Sequence, residues 1–415
     1  MKIAQGVHLH LLKNRKFKTN HITFRFSGKL EEKTVARRVL VAQMLAAANA
    51  VYPTVQKFRE RLADLYGADL STKVSTKGLV HIVDIDLVFI KDSYSLTKTS
   101  VLEEMLNFLG AVLFAPLVSV AQYQSKIFDV EKKNMLHYLE ADDEDSFSRS
   151  FLALKKLFFN QPDLKLSPYG YPDLFNSETA FTAYQEFQKM IKEDLLDIFI
   201  VGEFDDYRML QLITKFPLEN RQKDLQFSYR QVYKSITQEK IERRPVEQSV
   251  LQLGYHIPIQ YDDPNYFSLL VLEGMIGGFD HSKLFTAVRE KAGLAYTIGC
   301  QLDIYTGLLN VYTGIDKNNR NQVLKIINKQ FADLKIGSFS SSLIQQTKLM
   351  LTESVKLSED DTNAIIERTY NQHYLNINKQ AEYWISKFES VSKEDIVNAA
   401  SQIRLQAVYF LEGGQ

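Results

Sequence analysis

The sequence predicts an α+β protein of two homologous domains, each an antiparallel-rich sheet packed with helices. Three observations carry that expectation. Residues 57–89, KFRERLADLYGADLSTKVSTKGLVHIVDIDLVF, are echoed by residues 283–315, KLFTAVREKAGLAYTIGCQLDIYTGLLNVYTGI. Self-similarity at this spacing marks duplicated units, not one continuous sheet. Each echo is followed by helical segments, a closing helix and a final strand, and a polar, charge-rich stretch at 215–249 separates the halves. At 415 residues the chain also exceeds what one ordinary core accommodates.

In order along the chain, each echo reads as helix, glycine, alternating strand, turn and alternating strand. Gly67 and Gly293 fit the C-terminal helix caps, where a left-handed backbone is needed. Val80, Ile82 and Leu87 among polar neighbours give the period-two pattern of half-buried antiparallel strands. The segments SVLEEMLNFLGAVLF and NQVLKIINKQFADLK then read as helices, the second with an apolar stripe of Val323, Leu324, Ile327 and Phe331. The halves close with strands ending near Phe204 and Gly414, and Ser392 with Asp395 predicts a capping box. The expected division is 1–214, a linker at 215–249, and 250–415, each domain having its sheet covered by helices on one face.

Composition narrows the function. Hydrophobic residues make up 45% and charged residues 24%, which suits a buried core and excludes a disordered tail. Fifty basic and fifty acidic residues cancel, so no broad basic surface recommends nucleic acid as a partner. Cys300 is the single cysteine, which precludes an intrachain disulfide; its strand-like setting predicts a core position. Residues 105–125 carry no charge and approach spanning length, but the spacing of Val101, Leu102, Met105, Leu106 and Leu109 predicts a packed helix ending near Pro116. The N-terminus lacks the apolar core and cleavage site of a signal peptide, so a cytoplasmic location without membrane contact is expected.

Around the second echo, GGFDHSKLFTAVREKAGLAY resembles the C-terminal-domain signature of the insulinase/pitrilysin metallopeptidases, the family of the mitochondrial processing peptidases. The residues that carry the likeness are Gly277, Gly278, Ser282, Leu284, Phe285, Arg289, Glu290, Lys291, Gly293, Leu294, Ala295 and Tyr296. The resemblance implies a LuxS/processing-peptidase-like fold whose two domains act on an extended peptide. It also implies that the first domain holds zinc through H-x-x-E-H and a later glutamate. Arg289 and Tyr296, seven positions apart, would bind substrate beside the glycines Gly277 and Gly278. The residue types suit that role. A tyrosine hydroxyl can donate to the oxygen that gains charge during amide hydrolysis, and a guanidinium can hold a carbonyl or carboxylate in a fixed fork.

The metal half of the pattern is missing. The motif belongs in residues 36–49, ARRVLVAQMLAAAN, where Val39 and Gln43 stand at the two histidine positions and Ala42 at the catalytic glutamate position. Valine and alanine have no ligand atom, and glutamine is neither a useful base nor a common zinc ligand. In FDVEKKNMLHYLE, Glu131 matches the first glutamate of the family's ligand-bearing helix, but Tyr138 occupies the position of the zinc-binding one; His137 and Glu140 are out of register. His8 and His10, an i, i+2 pair, read as strand surface, and the acidic run at 140–145 as a solvated helix end or loop. Nucleophile-elbow, phosphate-loop and dinucleotide signatures are absent.

The resemblance therefore implies a non-catalytic subunit that binds no cofactor itself. Its partner would be a homologous, zinc-bearing H-x-x-E-H subunit, the two acting as a heterodimer on peptides. Among such proteins it is most similar to the inactive subunits of Gram-positive bacteria, which implies a link to modification of elongation factor P. The alternative expectation is a scaffold or peptide-binding protein that acts without a peptidase partner.

Overall fold

A computed structural model of the chain describes residues 1–96, 100–378 and 380–414. It divides into two compact units, the first formed by residues 1–140 with 166–226 and the second by 141–165 with 227 onward.

The first unit is built on β1 (Lys2–Ala4), β2 (Val7–Lys13), β3 (Thr19–Lys29), β4 (Asp69–Lys77), β5 (Val80–Ile90) and β8 (Leu195–Gly202); β6 (Val118–Ser119) and β7 (Gln122–Tyr123) form a separate small hairpin. The six strands lie in the order β1-β2-β8-β3-β5-β4. Only β2 and β8 run parallel; the other neighbours are antiparallel. Ile22, Phe24 and Phe26 of β3 oppose Leu87, Ile85 and Val83 of β5 and form the face buried under the helices Glu32–Ala47, Val101–Phe114 and Ala180–Glu193. Leu87 thus lies on the core face, whereas Val80 and Ile82 point the other way. The alternation is blurred because the reverse face is itself buried: Arg25 there makes a two-pronged bond to Asp84 at 2.8 Å, and Thr23 donates to Asp86 at 2.5 Å.

The second unit holds β9 (Gln238–Arg244), β10 (Ser249–His256), β11 (Ala295–Asp303), β12 (Leu308–Ile315) and β13 (Arg404–Gly413), in the order β11-β12-β10-β13-β9. Only β9 and β13 are parallel. The correspondence β4/β11, β5/β12, β3/β10, β8/β13 and β2/β9 therefore reproduces strand order and direction alike, and the halves are duplicates in topology as well as in sequence.

Both helix caps fall at the glycines. Gly67 and Gly293 have φ of +68° and +61°. Each donates its N–H to the carbonyl four residues back, and the next residue donates to the carbonyl six back: Ala63 and Leu62 in one half, Arg289 and Val288 in the other. The capping box at Ser392 and Asp395 is present. The first part of the uncharged stretch completes the helix Val101–Phe114, which stops before Pro116 with Met105, Leu106, Leu109 and Leu113 in the core. Among the described residues no helix is long and apolar enough to cross a membrane.

Two features depart from the sequence expectations. The polar stretch 215–249 is not only connecting chain, because it contains β9 and is shared between the units. The helix Ser146–Phe158 belongs to the second unit and lies on the face of its sheet opposite the main helical layer, so that sheet is covered on both faces. Gly254 in β10 makes room for it: a Cβ there would come within 2.9 Å of Phe158. The Phe158 carbonyl accepts from Gln406 at 2.9 Å. Nothing in a helix's own periodicity says which sheet it will cover.

Candidate functional site

The degenerate positions of the first unit rest on the helix Glu32–Ala47, which is fixed by a buried ionic cluster. Arg38 donates from Nε to His81 Nδ1 at 2.9 Å and from NH1 to Asp194 at 2.5 Å, and Lys223 reaches the other oxygen of Asp194 at 2.5 Å. His81 donates from Nε2 to the Pro168 carbonyl at 2.8 Å, which with the Arg38 contact requires a neutral ring. Burial, and then the Arg38 charge, lower its pKa to about 3. The arginine thereby ties the helix to β5 and to the turn entering β8.

One residue on, Val39 is 0% exposed and belongs to the hydrophobic core. Ala42, 1% exposed, and the partly buried Gln43 form one wall of a recess of about 230 Å³. Thr72 and Val74 of β4 line it, as do Asn134, Met135 and Tyr138 of the helix Ser125–Glu144 and Tyr169 of the turn before the short helix Pro172–Asn176. The Tyr138 and Tyr169 rings meet edge to face with centroids 5.3 Å apart. Three of the four degenerate positions, Ala42, Gln43 and Tyr138, thus converge, while Val39 has turned into the core.

The chemistry of this lining does not fit zinc. Amides, hydroxyls and a thioether face the recess, with no imidazole, thiolate or carboxylate among the lining residues. His137 and Glu140 are exposed on the same helix and do not line it. His10 lies elsewhere in the unit: on β2 it contacts Asp197 of β8 at 2.8 Å and stacks on Phe199 at 4.6 Å, with His8 3.6 Å from the same carboxylate. The sequence marks Tyr138 but not Thr72, Val74, Asn134, Met135 or Tyr169. Ordinary strand, helix and loop residues carry no motif, and only the fold gathers them.

The second unit presents Arg289 and Tyr296 through two wide helical turns. The helix Tyr266–Glu273 continues as a π-helical turn, Gly274–Gly278, and Phe285–Lys291 is π-helical as well; such turns widen a helix and recur at functional sites. Gly277 packs on β11, where a Cβ would stand 2.9 Å from the Cys300 nitrogen, and Gly278 faces the Glu273 carboxylate. The Arg289 guanidinium lies over two rings, 4.6 Å from the centroid of Phe285 and 4.9 Å from that of Tyr296, a stack that holds its planar fork in place. The ladder between β11 and β12 slips between Ala295 and Thr297, leaving Tyr296 as the extra residue of a bulge. A bulge re-aims a side chain, and Tyr296 is 78% exposed.

Behind this surface Glu273 is largely buried, and burial raises its pKa to about 7. The Cys300 sulfur lies 3.5 Å from the Glu273 carbonyl and 3.8 Å from its carboxylate. Burial and the neighbouring acid push that thiol well up, which disfavours a nucleophilic thiolate. Cys300 is buried, as its strand setting predicts.

Similarity to known proteins runs along the same lines. The sequence profile of the peptidase M16 inactive domain matches residues 183–351. The chain is similar to a probable inactive metalloprotease of Bacillus subtilis, YmfF, with 32% identity over 409 residues, 98% of this chain and 96% of that protein. The crystal structure of a conserved protein from Enterococcus faecalis matches with a TM-score of 0.94 and 35% identity, covering 100% of this chain and 98% of that one. The peptidase M16 inactive domain from Pseudomonas fluorescens matches at a TM-score of 0.81 and 15% identity, over 100% and 98% of the two chains, a likeness of fold.

Proposed function

The chain belongs to the peptidase M16 family as a homologue of its inactive metalloproteases, and on that footing we infer that it is the non-catalytic subunit of a heteromeric zinc peptidase. It binds extended peptide and completes the active site of a homologous H-x-x-E-H subunit, which carries the zinc. The observation that supports this reading is an asymmetry between two halves of one chemistry. Arg289 and Tyr296 remain paired at 4.9 Å, with the tyrosine facing solvent, whereas Val39, Ala42, Gln43 and Tyr138 offer nothing that holds zinc or activates water.

In that role the Tyr296 hydroxyl donates to the peptide oxygen as it gains negative charge, and the Arg289 fork holds a neighbouring carbonyl or carboxylate. Tyr296 sits at the start of β11, with Arg289 stacked on it from the preceding π-helical turn, and the second edge of β11 has no strand partner among the described residues. The same holds for its counterpart β4, beside the recess. Such edges accept an extended peptide through main-chain hydrogen bonds, with little demand on its sequence. The cytoplasm is the proposed location, and a link to modification of elongation factor P follows from the family resemblance; loss of this chain is then expected to change the modification state of that factor, as read by mass spectrometry.

Elemental analysis and a peptidase assay, with and without the homologous subunit, test the reading. The chain alone should hold no stoichiometric zinc and cleave no peptide, and the mixture should hold zinc and cleave peptide. One tightly held zinc per chain, or unaided cleavage, would contradict it.

A further inference from the structure

We propose that the recess beside β4 is a side-chain pocket that selects an uncharged aromatic residue from a peptide lying along that edge. The proposal rests on the peptide-binding reading above and names the substrate class that reading leaves open. Leu70, Thr72 and Val74 alternate on one face of β4; Leu70 is in the core, and Thr72 and Val74 line the recess. A strand added to the free edge places every second side chain on that same face. One of them then lies over the recess, whose volume of about 230 Å³ suits a single large side chain.

The lining sets the chemistry of that side chain. It contains no charged group, so a buried carboxylate or ammonium would lose its hydration without gaining a partner. Tyr138 and Tyr169 already meet edge to face, a geometry to which a third ring adds favourably. The Met135 thioether provides a soft contact for an aromatic edge. Gln43 lines the recess, and its amide can serve as a partner for a phenol hydroxyl. Val39 in the core and Arg38 in its ionic cluster hold this wall in one position, so the pocket exists before the peptide arrives. The histidine-less helix thus has a use of its own: its uncharged lining leaves a pocket that a ring can fill without stripping water from an ion.

The test is fluorescence anisotropy of the full chain with labelled, capped peptides of nine residues, the length of β4, identical except for a central Tyr, Ala, Glu or Lys. The Tyr peptide should bind about tenfold or more tighter than the Ala peptide, with Glu and Lys no better than Ala. Tyr138→Ala, at a position 49% exposed and so compatible with folding, should reduce the Tyr peptide to the affinity of the Ala peptide and leave the latter unchanged. Gln43→Trp, which fills the recess from the opposite wall, should do the same, with unchanged melting temperatures as the control for both. Equal affinity for Tyr and Ala peptides, or a preference that survives both substitutions, would overturn the pocket while leaving peptide binding by the edge intact. Failure of every peptide to bind would overturn both.

Discussion

Glu273 shows how one buried group behind the Gly274–Gly278 turn shapes stability. Its pKa is about 7 in the folded chain against an ordinary 4.5, because burial disfavours the charged form. Between those two values the folded chain keeps a proton that the unfolded chain has released. Stability therefore falls as pH rises from 4.5 through 7, and the full cost applies above that range. Glu273→Gln removes the titration while keeping the shape, so the variant should exceed the parent above pH 7 by up to about 3 kcal/mol and match it near pH 4.5, as measured by urea unfolding; parallel pH profiles would refute this. His81 acts in the opposite sense. Its pKa is lowered to about 3, so the stability it contributes is complete above its ordinary 6.5 and is lost as pH falls toward 3. Among single residues the sequence is only partly informative. The pair Arg289 and Tyr296 stands out by spacing, but nothing local distinguishes Arg38, which is buried, from Arg37 beside it, which bonds Glu178 at the partly exposed rim.

Elements decide where those residues point. The helix Glu32–Ala47 lacks a side-chain cap at its N-terminus and depends on Arg38 for its anchoring. Arg38→Met should cost about 3 kcal/mol, since it leaves buried Asp194 with Lys223 as its remaining cation and His81 Nδ1 without its donor; a loss below about 1 kcal/mol in chemical denaturation would show that the cluster is dispensable. In the second unit the Gly274–Gly278 turn lies so close to β11 that Gly277→Val must push the strand away. We expect that substitution to disturb the Tyr296 bulge, detectable as a changed environment for the tyrosine ring by NMR, whereas Gly414→Val, with open space around it, should not. The glycine caps are readable in the sequence because left-handed backbone has few suitable residues. The bulge at Tyr296 is not, because a one-residue slip in a ladder leaves no mark in composition.

Across the full chain, duplication is the main fact: two sheets of matching order and direction, one beside a stacked arginine and an exposed tyrosine, the other beside a neutral recess at the place expected for a metal. The repeat is legible because each half keeps its helix, glycine and strand pair. The membership of the helix Ser146–Phe158 is not, because it depends on contacts remote in sequence, such as Phe158 against Gly254. The decisive experiment is the turnover of the heteromer reconstituted with Tyr296→Phe, a change that keeps the ring over Arg289 and removes only the hydroxyl. Normal assembly and a fall in activity of about 10²-fold or more are expected, the scale of a lost oxyanion donor. Unchanged turnover in a fully assembled complex would contradict the assignment of Tyr296 to the shared active site.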